Sequence, residues 1–121
     1  MLKRLRSWLP SHADLLDATI DPAARVRVLP TRTRVDVGSW LGRRAVWLCV
    51  MADRISLLAP GPLPVVCEAP FTELRESFYN HITGELVLRP ASSLPVTHVR
   101  LRPYDAKDLL QRMGIEESDH V

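Results

Sequence analysis

The stretch RAVWLCVMADRISLLAP, residues 44–60, decides the fold because it predicts two strands joined by a tight turn. Residues 44–51 are apolar on both faces of a strand, which is typical of a strand inside a core. Residues 52–54 supply the turn and residues 55–59 the second strand. We therefore expect a buried antiparallel hairpin whose first strand is the most buried in the chain.

Ahead of this hairpin, apolar residues recur with the period of two that half-buried strands show. In RVRVL and TRTRVDV the arginines alternate with valine or threonine, which predicts four solvent-facing guanidinium groups: Arg25, Arg27, Arg32 and Arg34. The pattern fits two strands, or one long strand that bends near Pro30. The arginines are either a solvated face that discourages aggregation or a site for an anionic ligand.

The stretch YNHITGELVLRP, residues 79–90, places a histidine, an asparagine and a carboxylate close together, which raises the question of acid–base catalysis. Gly84 permits the positive φ of a tight hairpin turn, and Asn80 favours turns because its side chain bonds its own backbone. We therefore interpret the stretch as a turn between two strands. Tyr79 and His81 are expected to be open to water there, without a catalytic role.

Helical periodicity occurs at the two ends of the chain, and also in FTELRESFYN, where Phe71, Leu74 and Phe78 recur at helical spacing although the segment fits a strand as well. Leu2, Leu5, Trp8 and Leu9 share one face of a short amphipathic helix, which Pro10 ends. Three interpretations of this helix stay open: it packs on the rest of the domain, it docks to a protein partner, or it attaches weakly to an anionic membrane surface.

Two further helices are predicted from their capping residues. Ser11 and Asp14 have the spacing of a capping box, which predicts a second short helix directly after Pro10. Near the end of the chain, Asp105 is a good N-cap and Gly114 suits the left-handed position after a helix. Between them lies an apolar stripe at helical spacing, formed by Ala106, Leu109, Leu110 and Met113.

Seven short antiparallel strands followed by an amphipathic helix make the chain resemble the bacterial type of the pleckstrin-homology-like (PH-like) superfamily. The resemblance covers residues 24–114, and its features are the hairpin of residues 44–60, the hairpin YNHITGELVL and the passage VTHVRLRPYDAKDLLQRM. It implies a mainly β domain, with an antiparallel barrel closed at one end by the helix, that binds rather than catalyses. We accordingly expect a helical appendage at residues 1–22, the barrel and its helix at 23–114, and a flexible acidic tail at 115–121.

Composition and motifs narrow the class of function. The 121 residues suffice for one domain, and a net charge of +2 gives no general argument for nucleic acid. Cys49 and Cys67 have no close Cys or His neighbours, so we expect reduced thiols in a cytoplasmic protein, with a disulfide between strands as the alternative. The chain contains no glycine-rich phosphate loop and no nucleophile motif, and we expect no catalytic residue, metal or cofactor. No segment reaches the length of a membrane span.

These observations favour a binding or assembly module that is not an enzyme. The expected partner is another protein, engaged through an exposed strand edge or the N-terminal helix, and a homo-oligomer is also compatible. The alternative is an anionic membrane surface or a phosphorylated ligand, bound by the basic N-terminal helix and the four strand arginines. TRTR resembles the Arg-x-Arg of phosphoinositide-binding PH domains. Trp40 and Trp47 are expected in the core, with an exposed binding anchor as the alternative for Trp40.

Overall fold

The computed structural model describes residues 11–90 and 94–115. Within these ranges the chain forms two antiparallel sheets, two α-helices and two short 3₁₀ helices. This confirms the expected mainly β domain with a C-terminal helix. The strands are β1 (Arg27–Val35), β2 (Arg44–Val50), β3 (Arg54–Ala59), β4 (Val65–Pro70), β5 (Phe78–Asn80), β6 (Glu85–Val87) and β7 (His98–Arg100); the α-helices are α1 (His12–Thr19) and α2 (Pro103–Arg112); the 3₁₀ helices are Pro22–Ala24 and Phe71–Glu73.

The larger sheet has the strand order β1-β2-β3-β4 and is built around the hairpin predicted from residues 44–60. Leu48 of β2 lies opposite Leu57 of β3, and the faces of β2 divide as its alternation predicts. The expectation that β2 is the most buried strand is wrong, because every residue of Ile55–Ala59 in β3 is buried while Trp47 in β2 is only partly so. Both faces of β3 are covered along its length, which accounts for the difference.

The alternating segment before the hairpin is one long strand, bent as the second alternative predicted. The register of β1 against β2 shifts between Pro30 and Arg34. Thr31 stabilises the shift because its Oγ1 donates to the Val46 carbonyl at 2.7 Å and accepts from the Thr33 amide at 3.2 Å. The irregularity bends the strand without breaking it.

The alternation predicted for RVRVL is wrong at its first two positions. Val26 is 44% exposed, whereas the Arg25 side chain is largely covered. The reason is that β1 begins only at Arg27, and Arg25 turns back to hydrogen-bond the end of α1. Strand alternation therefore does not apply to residues 25 and 26.

The smaller sheet has the order β5-β6-β7, and its first two strands form the hairpin predicted around Gly84. Gly84 has a φ of 73°, and Asn80 Oδ1 accepts hydrogen bonds from the Ile82 and Thr83 amides. The expectation that Tyr79 is open to water is wrong. Its ring is buried, and its hydroxyl donates to the Leu101 carbonyl at 3.0 Å, because Tyr79 faces inward from β5.

The two α-helices cover different faces of the sheets. The capping box of Ser11 and Asp14 opens α1 as predicted, and Leu16 and Ile20 pack on the outer face of the larger sheet beside Cys49. The apolar stripe of α2 enters the main core. Whether an appendage ends at residue 22 stays a prediction, as do the other domain boundaries.

The start of α2 differs from the prediction. Its N-cap is Arg102 and Pro103 occupies the first turn, so Asp105 lies inside the helix and is buried. Proline is favoured at the first helical position because its fixed φ suits a helix and its missing amide has no helical partner to lose. Gly114 has the predicted left-handed φ, at 78°.

Candidate functional site

A cleft of about 680 Å³ lies where the two sheets meet. One wall is six consecutive residues of β1, Arg27–Arg32, and the other is the passage from β7 into α2, Arg100–Pro103. Thr83 and Gly84, in the β5–β6 turn, also line it, as does Asp105. Three elements that are distant in sequence thus enclose one elongated space.

The cleft follows the outer edge of β1. Within the described ranges β1 pairs only with β2, so its other edge has no partner strand, and β7 is likewise at the edge of the smaller sheet. The two edges approach at Thr33, whose Oγ1 accepts from the Arg100 amide at 2.7 Å, but no ladder forms between them. Pro30, which lacks an amide hydrogen, suits such an edge position. No closed barrel is found in the described residues, and this open seam is where the sheets separate.

One cleft arginine is neutralised by the fold itself. Arg27 donates from Nη1 to Asp108 and from Nη2 to Asp105, both at 2.9 Å. The Asp108 and Asp105 carboxylates raise the pKa of Arg27, and in return Arg27, followed by Arg112, lowers the pKa of Asp108. Arg27 therefore links β1 to α2, and these two carboxylates already balance its charge, so it contributes little to the attraction of a ligand.

The remaining cleft arginines are less engaged. Arg32 and Arg100 are exposed and have no ion-pair partner among residues 11–90 and 94–115. Arg102 is 82% exposed, and its Nε lies 3.3 Å from Asp105. Four arginines thus line the cleft together with one carboxylate, that of Asp105, while Asp108 binds Arg27 from outside the lining, so positive charge is in excess. The cleft is electrostatically suited to an anionic group.

The structure separates the four arginines predicted as an anionic site. Arg25 caps α1, and Arg27 and Arg32 line the cleft. Arg34 is exposed on β1 but lies outside the cleft lining. Leu2, Leu5, Trp8 and Leu9, predicted as a partner or membrane contact, lie outside the described residues.

Sequence reasoning missed Arg100 and Arg102 as site residues. Their outward direction was predicted correctly from the alternation of VTHVRLR, and both are exposed. Their position opposite Arg32 depends on how the two sheets meet, for which the local pattern carries no signal. The available signal was the Arg-x-Arg spacing itself, which occurs here as it does in TRTR.

A second exposed feature is apolar and lies in the β1–β2 connection, where Trp40 is 91% exposed and Leu41 is also largely exposed. Leu63 of the β3–β4 loop, whose amide donates to the Val37 carbonyl, is largely exposed as well. The expectation of a core position for Trp40 is wrong. Its exposure agrees with the alternative, whose role as a binding anchor stays a prediction. The turn projects from the sheet between Gly38 and Gly42, both with positive φ, so its side chains do not reach the core. Trp47, by contrast, is half-buried and stacks on His12 at 4.8 Å.

Chemistry-bearing residues elsewhere are dispersed. His81 is exposed at the hairpin turn and contacts the Tyr79 ring edge-on at 4.9 Å. Burial raises the pKa of the free thiols of Cys49 and Cys67. Within the described ranges there is no group of three or more His, Cys, Asp or Glu positioned to hold a metal ion. No helix in those ranges combines the length and apolarity needed to cross a bilayer.

Comparison of the chain with protein-family models, curated proteins and solved structures finds no match.

Proposed function

We propose that the chain is a non-catalytic, PH-like binding module that holds an extended segment of a protein partner in the cleft. The observation that carries this proposal is the cleft along six consecutive residues of an unpaired strand edge. Edge strands present free amide and carbonyl groups, to which an extended peptide adds as a further strand. Six strand residues span about 20 Å, enough for a peptide of about six residues.

Two features support the PH-like assignment. In the described residues, seven antiparallel strands precede a C-terminal helix, in sheets of four and three strands. The apolar stripe of that helix packs in the main core against both sheets, which is consistent with a helix closing one end of a barrel. A binding role follows from the resemblance, and the ligand has to be argued from the cleft.

The lining of the cleft supports binding over catalysis. The carboxylate of Asp105, which a general base would need free, accepts hydrogen bonds from Arg27 and Arg102. The hydroxyl of Thr31 is buried and donates to a backbone carbonyl. These two groups are engaged within the fold, and the cleft also presents a strand edge, guanidinium groups and Thr83.

A peptide selection tests the proposal. The full chain is immobilised and challenged with a random ten-residue peptide library, and the strongest binders are mapped on it by amide chemical shifts. We expect the shifts to be confined to the amides that line the cleft, which are those of residues 27–32 except Pro30, of Thr83 and Gly84, and of Arg100–Arg102. Thr83→Trp, which fills the cleft from the turn, should abolish binding because the peptide loses its space.

Ile82→Trp is the matched control. Ile82 neighbours Thr83, is 90% exposed and does not line the cleft, so this variant should bind as the unmodified chain does. Binders that shift the Trp40 turn or α1, or a Thr83→Trp variant that binds normally, would contradict the proposed site.

A further inference from the structure

We infer that the segment held in the cleft is acidic, with carboxylates at alternate positions that pair with Arg32, Arg100 and Arg102. This inference rests on the proposed function and names the chemistry of its partner. It assigns a role to Arg100 and Arg102, which the pattern of the sequence alone left as solvated residues.

The guanidinium groups that line the cleft differ in whether they already pair with carboxylates of the fold. The two Nη groups of Arg27 donate hydrogen bonds to Asp105 and Asp108. Arg32 and Arg100 have no ion pair among the described residues, and Arg102 shares Asp105 at the longer distance of 3.3 Å. The available donors are therefore those of Arg32, Arg100 and Arg102. Arginine presents several N–H donors in a fork that matches a carboxylate.

The spacing of these donors also bears on the chemistry of the ligand. Arg100 and Arg102 are two residues apart, and both are exposed beside a buried Leu101. Arg100 is the last residue of β7, and Arg102, the N-cap of α2, still has an extended backbone with φ −66° and ψ 147°. Side chains two apart on an extended chain lie about 7 Å apart on the same side, which is also the spacing of residues i and i+2 in a bound extended peptide. A peptide with carboxylates at alternate positions therefore matches them in register. Arg32, on the opposite wall, adds a contact from β1.

The placement of the cleft arginines favours a peptide over other anions. The cleft runs along six consecutive residues of β1, and its arginines lie on both walls. A flat membrane surface needs an exposed basic face, yet Arg25 and Arg27 are engaged by α1 and α2. An extended acidic segment uses both the strand edge and the distributed charge.

The peptides selected on the full chain test the inference. We expect Asp and Glu to be enriched at alternate positions relative to the unselected library. Replacing those acids by Asn and Gln in the strongest binder should weaken it about tenfold, which corresponds to the loss of charge-assisted hydrogen bonds. The double variant Arg32→Ser/Arg100→Ser should bind the acidic peptide about tenfold more weakly than the unmodified chain does. Its affinity for the amide peptide should be unchanged.

Arg34→Ser is the matched control, since Arg34 is an exposed arginine of the same strand outside the cleft, and it should leave both affinities unchanged. Selected peptides that are neutral, and bind in the cleft independently of Arg32 and Arg100, would overturn the acidic specificity while leaving the proposed function intact. A different result would overturn both the acidic specificity and the proposed function. It is that no selected peptide binds in the cleft, while the chain floats with phosphatidylserine vesicles in a way that depends on these arginines, which would favour a lipid headgroup as the ligand.

Discussion

Gly61 lies against the buried side chain of Val37, and this contact joins the β3–β4 loop to the end of β1. A Cβ at residue 61 would lie 2.6 Å from Val37 Cβ and 3.0 Å from its carbonyl oxygen, which already accepts from the Leu63 amide. Gly84 needs glycine for a different reason. Its φ is +73°, yet an added Cβ would meet only Tyr79 Oη, at 3.8 Å.

We expect Gly61→Ala to lower the free energy of unfolding by about 3 kcal/mol, because buried Val37 has no room to move away. Gly84→Ala should cost about 1 kcal/mol, the usual penalty of a left-handed conformation for an L-residue. Urea denaturation of the two variants measures both values. Equal losses would show that the contact with Val37 relaxes more easily than its burial indicates.

At the scale of elements, α1 is attached to the larger sheet by its apolar face and by Arg25. The Arg25 guanidinium donates to the Ile20 carbonyl at 2.6 Å and to Asp17 at 3.0 Å, so it satisfies the C-terminal end of the helix with a positive charge. At the other end, His12 Nε2 lies 2.6 Å from the Ala45 carbonyl. An eight-residue helix is too short to be stable alone, which makes these contacts decisive.

Arg25→Ala should therefore loosen α1 while leaving the sheets folded. We expect amide hydrogen exchange within His12–Ile20 to become about tenfold faster, as for a local loss of roughly 1 to 2 kcal/mol. Exchange in β2 and β3 should not change. Arg34→Ala serves as the control, since Arg34 has no ion pair among the described residues. A uniform acceleration across the whole domain would contradict a local role for Arg25.

At the scale of the whole molecule, α2 connects the two sheets. Its apolar face fills the core between them, and Asp105 and Asp108 bind Arg27 of β1. Of these two carboxylates, Asp105 also lines the cleft. The ion pair between Arg27 and Asp105, which links β1 to α2, thus also forms part of the cleft lining.

This connection predicts a dependence of stability on pH. Arg27 and then Arg112 lower the pKa of Asp108, so its contribution is present above the ordinary aspartate pKa of about 3.9 and is lost as the pH falls through the lower folded value. Asp108→Asn should cost about 1 to 2 kcal/mol at pH 7. The difference from the unmodified chain should narrow as the pH falls below about 4, and it should vanish once the pH lies below the lowered folded pKa of Asp108, where both chains are neutral at this position.

Denaturant unfolding at several pH values measures this difference. Asp53→Asn is the control, because Arg54 lowers the pKa of Asp53 in the same direction, but that pair is open to solvent and should not affect stability measurably. A constant difference between Asp108→Asn and the unmodified chain from pH 7 to pH 2 would exclude the ionised carboxylate as its cause.

The elements that the sequence predicted well depend on local physics. The alternation of residues 31–37, the capping box at Ser11 and the left-handed glycines at 84 and 114 all involve neighbours within a few positions. Where prediction was wrong, a distant contact or the edge of an element prevailed over the pattern. Arg25 turns to the end of α1, and Trp40 projects on a turn beyond the core.

The sequence by itself determined a mainly β chain, its two hairpins and the C-terminal helix, because side-chain periodicity and turn chemistry act between neighbouring residues. Only the tertiary structure decided which arginine side chains form ion pairs within the described residues. Arg27 and Asp105 are 78 positions apart, and whether they pair depends on how β1 meets α2. The cleft has the same origin, since β1 and β7 each satisfy the strand pattern while their failure to pair is a property of two sheets meeting in space.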